Sequence, residues 1–320
     1  MNIFWNVMQS NRKQPIPIRT MRFINPKTDY AFKKIFGSEQ SHDILISFLN
    51  AILYGGNDTI IDLEILNPHL TPRIRGFKDT YLDIKATIAD SDRQNSTVII
   101  EMQVLNIEGF QKRILYNAAK TYTNQLAIGD EYTDLQPVIA LTIADFEMFP
   151  ELGQLLSRFI LKEKTYLTDY PIYDIELVFI ELPKFQKQLA ELQTIADKWL
   201  YFLKTARKLE SVPLSMESVP AIKQAFAIAN QANLSLEEID ELEHQEIFIQ
   251  DQRNAIKKAL DQGIEQGLEQ GIEQGIEGGR LETQLAIAQQ LLSVLDDAAI
   301  SRTTGISIEA IAQLRNNQTQ

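Results

Sequence analysis

Asp83 and Lys85 in Leu82-Asp-Ile-Lys85, with Glu101 and Gln103 in Ile100-Glu-Met-Gln103, are the residues of this chain whose types and spacing best suit catalysis. Two carboxylates, an ammonium and a carboxamide on neighbouring strands suit a hard divalent cation, which binds one or two carboxylates and keeps its other positions for water and substrate phosphate. Such an ion makes water a better nucleophile and neutralises charge on a phosphodiester, while a lysine or glutamine orients the attack. The same residues suit an ordinary hairpin whose charges keep its outer face wet, and spacing by itself favours that reading.

Each half sits in an alternating run. Leu82, Ile84, Ala86 and Ile88 are expected to face one way and Asp83, Lys85 and Thr87 the other, because strand side chains alternate with period 2. Val98, Ile100, Met102 and Val104 share a face in the second run, which leaves Ile99, Glu101 and Gln103 opposite. The polar stretch Asp90-Ser-Asp-Arg-Gln-Asn-Ser96 reads as the turn between them, so 79–105 is expected to pair as a hairpin that converges the four polar residues.

Other chemistries are pruned by composition. The chain of 320 residues has no cysteine and three scattered histidines, His42, His69 and His244, which leaves carboxylates as the groups able to hold a metal. It contains no apolar run of the length a membrane span requires, and 1–8 lacks the basic and small-residue features of a secretion signal, so the expectation is a cytoplasmic protein with no membrane partner. The formal net charge of −12 opposes phosphate binding, but it is unevenly spread. Residues 1–85 carry 11 Lys and Arg against 8 Asp and Glu, whereas 235–282 carry 4 against 13. A basic cleft can therefore persist beside an acidic helical region.

Residues 29–54 read as helix with a break at Gly37-Ser38 and Thr28 as cap, followed by a strand at 60–66 and, after the hairpin, a helix at 111–127. Arg113, Tyr116 and Lys120 share a face of that last helix, which either lies beside a DNA backbone or is an ordinary amphipathic surface, with Tyr116 expected to pack inward. The apolar run 137–143 reads as a buried central strand, and 158–166 and 175–182 as two more. This order implies an α/β fold with a mixed central sheet, followed from 189 by an all-helical region with breaks at Pro213, Pro220 and Leu234-Ser235.

Beyond it, Gly263-Ile-Glu-Gln, Gly267-Leu-Glu-Gln, Gly271-Ile-Glu-Gln and Gly275-Ile-Glu-Gly form a four-residue repeat ending at Gly279. As a helix it presents a slowly drifting ridge of glycine beside one of isoleucine and leucine, which a second helix, for instance in a homo-oligomer, could approach. As a chain weakened by its glycines, it reads equally as a polar linker. Residues 282–295 read as an amphipathic helix, and 297–314 as a helix-turn-helix-like pair with Gly305 in the turn and Ser307 as cap. The second helix of that pair is poor in groups that read bases, which favours a structural role.

Seven segments taken in order carry a family resemblance. They are Asn25-Pro-Lys-Thr-Asp-Tyr-Ala-Phe-Lys-Lys-Ile-Phe36, Leu82-Asp-Ile-Lys85, Ile100-Glu-Met-Gln103, Arg113-Ile-Leu-Tyr116, Tyr122-Thr-Asn-Gln125, Tyr132-Thr-Asp-Leu-Gln-Pro-Val138 and Phe179-Ile-Glu-Leu-Pro-Lys-Phe185. Residues 21 to 205 resemble through them the Rpn-type recombination-promoting nucleases, also called PD-(D/E)XK family transposases. The resemblance implies a restriction-endonuclease-like core, with Asp83 and Glu101 as metal ligands joined by the main-chain carbonyl of Met102. Gln103 then stands where the wider superfamily has lysine. Lys85 is either a substitute for it, contacting phosphate or nucleophile, or a salt-bridge partner of Asp83 or Glu101.

The organisation expected is an extended or disordered arm at 1–20, a nuclease-like domain at 21–205, a helical region at 206–262, the repeat at 263–279 and C-terminal helices at 280–320. The implied activity is a Mg²⁺- or Mn²⁺-dependent DNA endonuclease that hydrolyses phosphodiesters and promotes recombination, with Asp83, Glu101, Gln103 and Lys85 in the active site. The alternative is a weak or inactive nuclease fold serving as an oligomerising interaction module.

Overall fold

The computed structural model describes residues 23–70, 80–90 and 94–317. The expected arm at 1–20 and the tip of the hairpin at 91–93 lie outside the described residues. The chain divides into two compact units, Met1–Gln250 and Asp251–Gln320.

The first unit is built on a sheet of six strands in the order β1-β4-β5-β6-β8-β7, where the strands are β1 (Ile60–Leu66), β4 (Ile84–Asp90), β5 (Asn95–Gln103), β6 (Val138–Ala144), β7 (Leu156–Phe159) and β8 (Ile175–Glu181). A separate pair, β2 (His69–Leu70) and β3 (Thr80–Tyr81), precedes β4. β4 pairs antiparallel with β1 and with β5; β6 and β8 continue parallel to β5, and β7 closes the edge antiparallel to β8, so the sheet is mixed as expected. β6 is buried along its whole length, which is why it reads as an unbroken apolar run. The expected strand at 158–166 is shorter than its composition suggests: β7 ends at Phe159, and the chain then turns back on itself through a bridge between Lys162 and Asp169.

One face of the sheet is covered by α1 (Asp29–Phe36), α2 (His42–Leu53), α4 (Ile195–Thr205), α5 (Leu214–Glu217) and α6 (Pro220–Ile228), which share one apolar core with Ile84, Ala86, Ile88, Val98, Ile100 and Met102. Thr28 caps α1 by accepting from the Ala31 N–H, and Phe36, Phe48 and Trp199 pack ring on ring with centroids 5.0 to 5.8 Å apart. The opposite face is covered by α3 (Phe110–Thr123), whose Phe110, Ile114 and Ala118 pack with Leu82, Ile99, Ala140 and Phe179. Tyr116 is 40% exposed, contrary to expectation, because burial of Ile114 and Ala118 turns it to solvent, where Lys120 lies over its ring.

The helix α7 (Leu236–Leu291) runs for 56 residues and takes in the whole glycine repeat, which is therefore helix and not linker. The amphipathic stretch expected to begin at 282 is its continuation and stops at Leu291 instead of 295. In the second unit, α8 (Asp297–Thr304) and α9 (Ile308–Asn317) join through Gly305, whose positive φ of 77° favours glycine, and pack with Ala288 and Leu292. Ser307 caps α9. Arg315 donates to Asp297 and to the carbonyls of Leu292 and Leu295, in keeping with a structural role for the pair. Among the described residues no helix is long and apolar enough to cross a membrane.

Candidate functional site

The alternating pattern that joins Asp83 to Lys85 breaks at Asp83 itself. Ile84 packs in the core under α1 and α2, but Leu82, two residues earlier, packs on the α3 side with Ile99. The expected common face of Leu82, Ile84, Ala86 and Ile88 therefore stops at Ile84. The cause is local: β3 belongs to a different sheet, the Leu82 N–H donates to the Pro68 carbonyl, and the chain bends at Asp83 before β4 begins.

The bend brings the Asp83 carboxylate to the open end of the β4–β5 ladder. Ile84 pairs with Ile100, so β5 continues past β4, and Asp83 Oδ2 accepts from the Met102 N–H at 2.7 Å in place of a strand. A strand residue's N–H and C=O point to the same side, so the Met102 carbonyl also faces the edge that Asp83 occupies. Asp83 Oδ1 lies 3.6 Å from Lys33 Nζ on α1, and that ammonium is 2.7 Å from Asp29 Oδ1. Burial pushes Asp83 up to about 7; the Met102 N–H and Lys33 oppose the rise, and the carboxylate of Asp29 adds to it.

Glu101 stands on the other face, 8% exposed under α3. Its Oε1 accepts from Asn117 Nδ2 at 2.7 Å and its Oε2 from Arg113 Nη2 at 3.3 Å. Burial raises its pKa despite Arg113, Asn117 and, more distantly, Lys33, so Lys33 acts on both acids. Gln103 accepts from the same Arg113 at 2.8 Å and donates to the Leu105 carbonyl. Lys85 lies opposite Ile99 on this face, and burial pushes its pKa down. Among the described residues no ion pair joins it to Asp83 or Glu101, whose cations are Lys33 and Arg113, so the salt-bridge alternative for Lys85 is not found.

The four expected residues are thus brought to one end of β4 and β5, but they do not converge on one patch. Asp83 is directed to α1, and Glu101 and Gln103 are tied to α3. Sequence reasoning missed Asp29, Lys33 and Asn117, and singled out Arg113 without its place against Glu101 and Gln103. A signal for two of them was present: Asp29 and Lys33 are four apart at the start of a capped helix, the spacing of a cation bridging to a neighbouring acid.

Among the described residues no three carboxylates or histidines gather as a ready metal cluster. The donors nevertheless fit a hard cation in kind. All are oxygens, Asp83 is half-buried beside the like charge of Asp29, and Asn117 Oδ1, in a residue 1% exposed, has no hydrogen-bond partner among the described residues. Glu101 would have to exchange its Arg113 contact to share an ion with Asp83.

A family model described as PD-(D/E)XK nuclease family transposase matches residues 26–259. That span contains the sheet and α1 to α6 and stops short of the glycine repeat. No curated protein and no solved structure matches the chain.

Proposed function

The chain belongs to the PD-(D/E)XK nuclease family transposases, and from that membership we propose that it is a divalent-metal-dependent DNA endonuclease of the Rpn-like type whose cuts promote recombination. The observation that carries the reading is Asp83, a half-buried carboxylate at the start of β4, bonded to the Met102 N–H and crowded by Asp29. A residue that costs this much to ionise without a cation suits a place where a cation arrives.

Asp83, the Met102 carbonyl and Glu101 would hold the ion, Mg²⁺ or Mn²⁺, with Asp29 close by. When bound it would supply charge neutralisation at the phosphate and a more acidic water. The chain's own groups do the rest. Asn117 fixes one oxygen of Glu101, and Arg113 holds the other while fixing Gln103. Lys33 sets an ammonium between Asp29 and Asp83, where it can meet a phosphate oxygen once an ion screens the acids. Lys85, whose pKa burial lowers and which has no ion pair with a carboxylate among the described residues, is a further ammonium on this end of the sheet and is suited to accept or donate a proton.

The test is nicking of supercoiled plasmid with Mg²⁺ or Mn²⁺ by the full chain and by Asp83→Asn and Glu101→Gln. Metal-dependent nicking that both substitutions abolish is expected. Equal activity in all three proteins would sink the assignment, and absence of nicking in the wild type would favour a fold retained for interaction alone.

A further inference from the structure

Ile256, Leu260, Ile264, Leu268, Ile272 and Ile276 recur every four residues along α7, and each is at least half exposed. Immediately before each stands a small residue: Ala255, Ala259, Gly263, Gly267, Gly271 and Gly275. The regularity thus begins before the glycine repeat. A Cβ added at any of these glycines would meet nothing within 4 Å, so no contact among the described residues requires them. Glycine weakens a helix and exposed isoleucine gains nothing in water, so the combination is unfavourable until a second helix covers it.

We propose that this face of the second unit packs against the same face of a second copy, antiparallel, with the large ridge of each helix seated on the small ridge of the other. Ridges of spacing four drift by roughly 40° per repeat, so two of them interdigitate with the axes crossed at about 50° and touch closely over the middle repeats. One antiparallel register sets Gly263 opposite Leu268, Gly267 opposite Ile264 and Gly271 opposite Leu260, and continues to Ala259 opposite Ile272. Small meets large at every step.

Charge sets the direction. Residues 251–260 carry Arg253, Lys257 and Lys258 against Asp251, whereas 261–282 carry Asp261, Glu265, Glu269, Glu273, Glu277 and Glu282 against Arg280. Parallel packing would lay the acidic stretch of one copy along that of the other. The antiparallel register places each basic stretch at the level of its partner's acidic end. The glutamates lie on the side away from the apolar ridges, so the preference acts through the field over a Debye length of ~10 Å and weakens with salt.

The chain has no cysteine, so engineered thiols report cleanly. In the full chain, Gly263→Cys and Leu268→Cys are expected to form a disulfide with each other when mixed, while neither forms one with itself, because self-pairs are offset by about 7.5 Å along the axis. Gly267→Leu fills the groove: helical content should hold or rise, while the dimer dissociation constant rises at least tenfold. A monomeric mass for the full chain at micromolar concentration would overturn the proposal. So would self-disulfides at both positions, the parallel signature, failure of the mixed pair to link, or a dimer indifferent to Gly267→Leu.

Discussion

Lys33 Nζ lies 3.6 Å from Asp83 Oδ1, so the cation nearest this half-buried acid at the start of β4 comes from the first helix and not from the strand. Its closer partner is Asp29 at 2.7 Å, and the pull of the two acids outweighs the burial that would lower its pKa, leaving it raised. Lys33 is therefore charged at neutral pH.

Removal of that charge should slow nicking more than removal of Lys85. Lys33→Gln is expected to cost on the order of 100-fold in single-turnover plasmid nicking, within the range of one positioned charged group, and Lys85→Gln less than tenfold. The reverse ranking would give the superfamily lysine's task to Lys85.

Asp83 makes the metal-free protein sensitive to pH in a definite direction. A carboxyl group held near 7 in the folded chain and near 3.8 in the unfolded one binds more protons when folded between those values. Stability therefore falls as pH rises from about 4 to about 7, by up to a few kcal/mol, and levels off above. Asp83→Asn keeps an oxygen for the Met102 N–H and removes the charge. Its melting temperature in chelator should exceed that of the wild type by a margin that grows from pH 4 to pH 8. Mg²⁺ should stabilise the wild type and leave the variant unchanged. A margin independent of pH would show that burial of Asp83 is not what governs it.

The period of two in 84–88 and 98–103 made the strands, their pairing and the faces of Glu101 and Gln103 legible from the sequence, and the resemblance added which acids matter. What stayed hidden comes from groups far apart in the chain. Nothing in Arg113 or Asn117 says that α3 lies on the sheet with those residues over Glu101, since a helix pattern gives its buried face but not what it is buried against. Leu82 misled because alternation assumes a continuous strand, and Asp83 is where the chain passes from one sheet to another. The segment 160–166 has strand-like composition, but the chain leaves β7 at Phe159 and turns back through the Lys162–Asp169 bridge, a local pairing that composition does not reveal.

Glu238 ties the start of α7 to α1 within the first unit. It accepts from Lys34 at 2.6 Å and from the Tyr30 hydroxyl, contacts that hold its carboxyl down at about 2. A depressed carboxyl contributes stability above its unfolded value of 4.5 and loses it as pH falls toward 2. Its side chain is 26% exposed, so solvent screening reduces the gain to about 1 kcal/mol. Urea denaturation should find Glu238→Gln less stable than the wild type by about that much at pH 7 and equal to it at pH 2. An undiminished gap at pH 2 would mean that shape, not charge, supplies the contact.

The resemblance implies that Gln103 stands at the superfamily's lysine position, and restoring lysine there is the obvious attempt to raise activity. The surroundings argue that it fails. Gln103 Oε1 accepts from Arg113 Nη2 at 2.8 Å, so Gln103→Lys sets an ammonium against a guanidinium and removes the acceptor that holds it. Arg113 is also the cation on Glu101, and its displacement frees an oxygen of that acid. Gln103→Lys should therefore lower stability by about 1 to 2 kcal/mol and leave nicking no faster than in the wild type. Arg113→Gln added to it relieves the repulsion, and the double variant should be more stable and more active than Gln103→Lys alone, a coupling visible in a double-mutant cycle of melting temperature and nicking rate. Were Gln103→Lys by itself faster than the wild type, Arg113 would have to move aside freely, and the network from Arg113 through Gln103 and Glu101 would not be what positions this site.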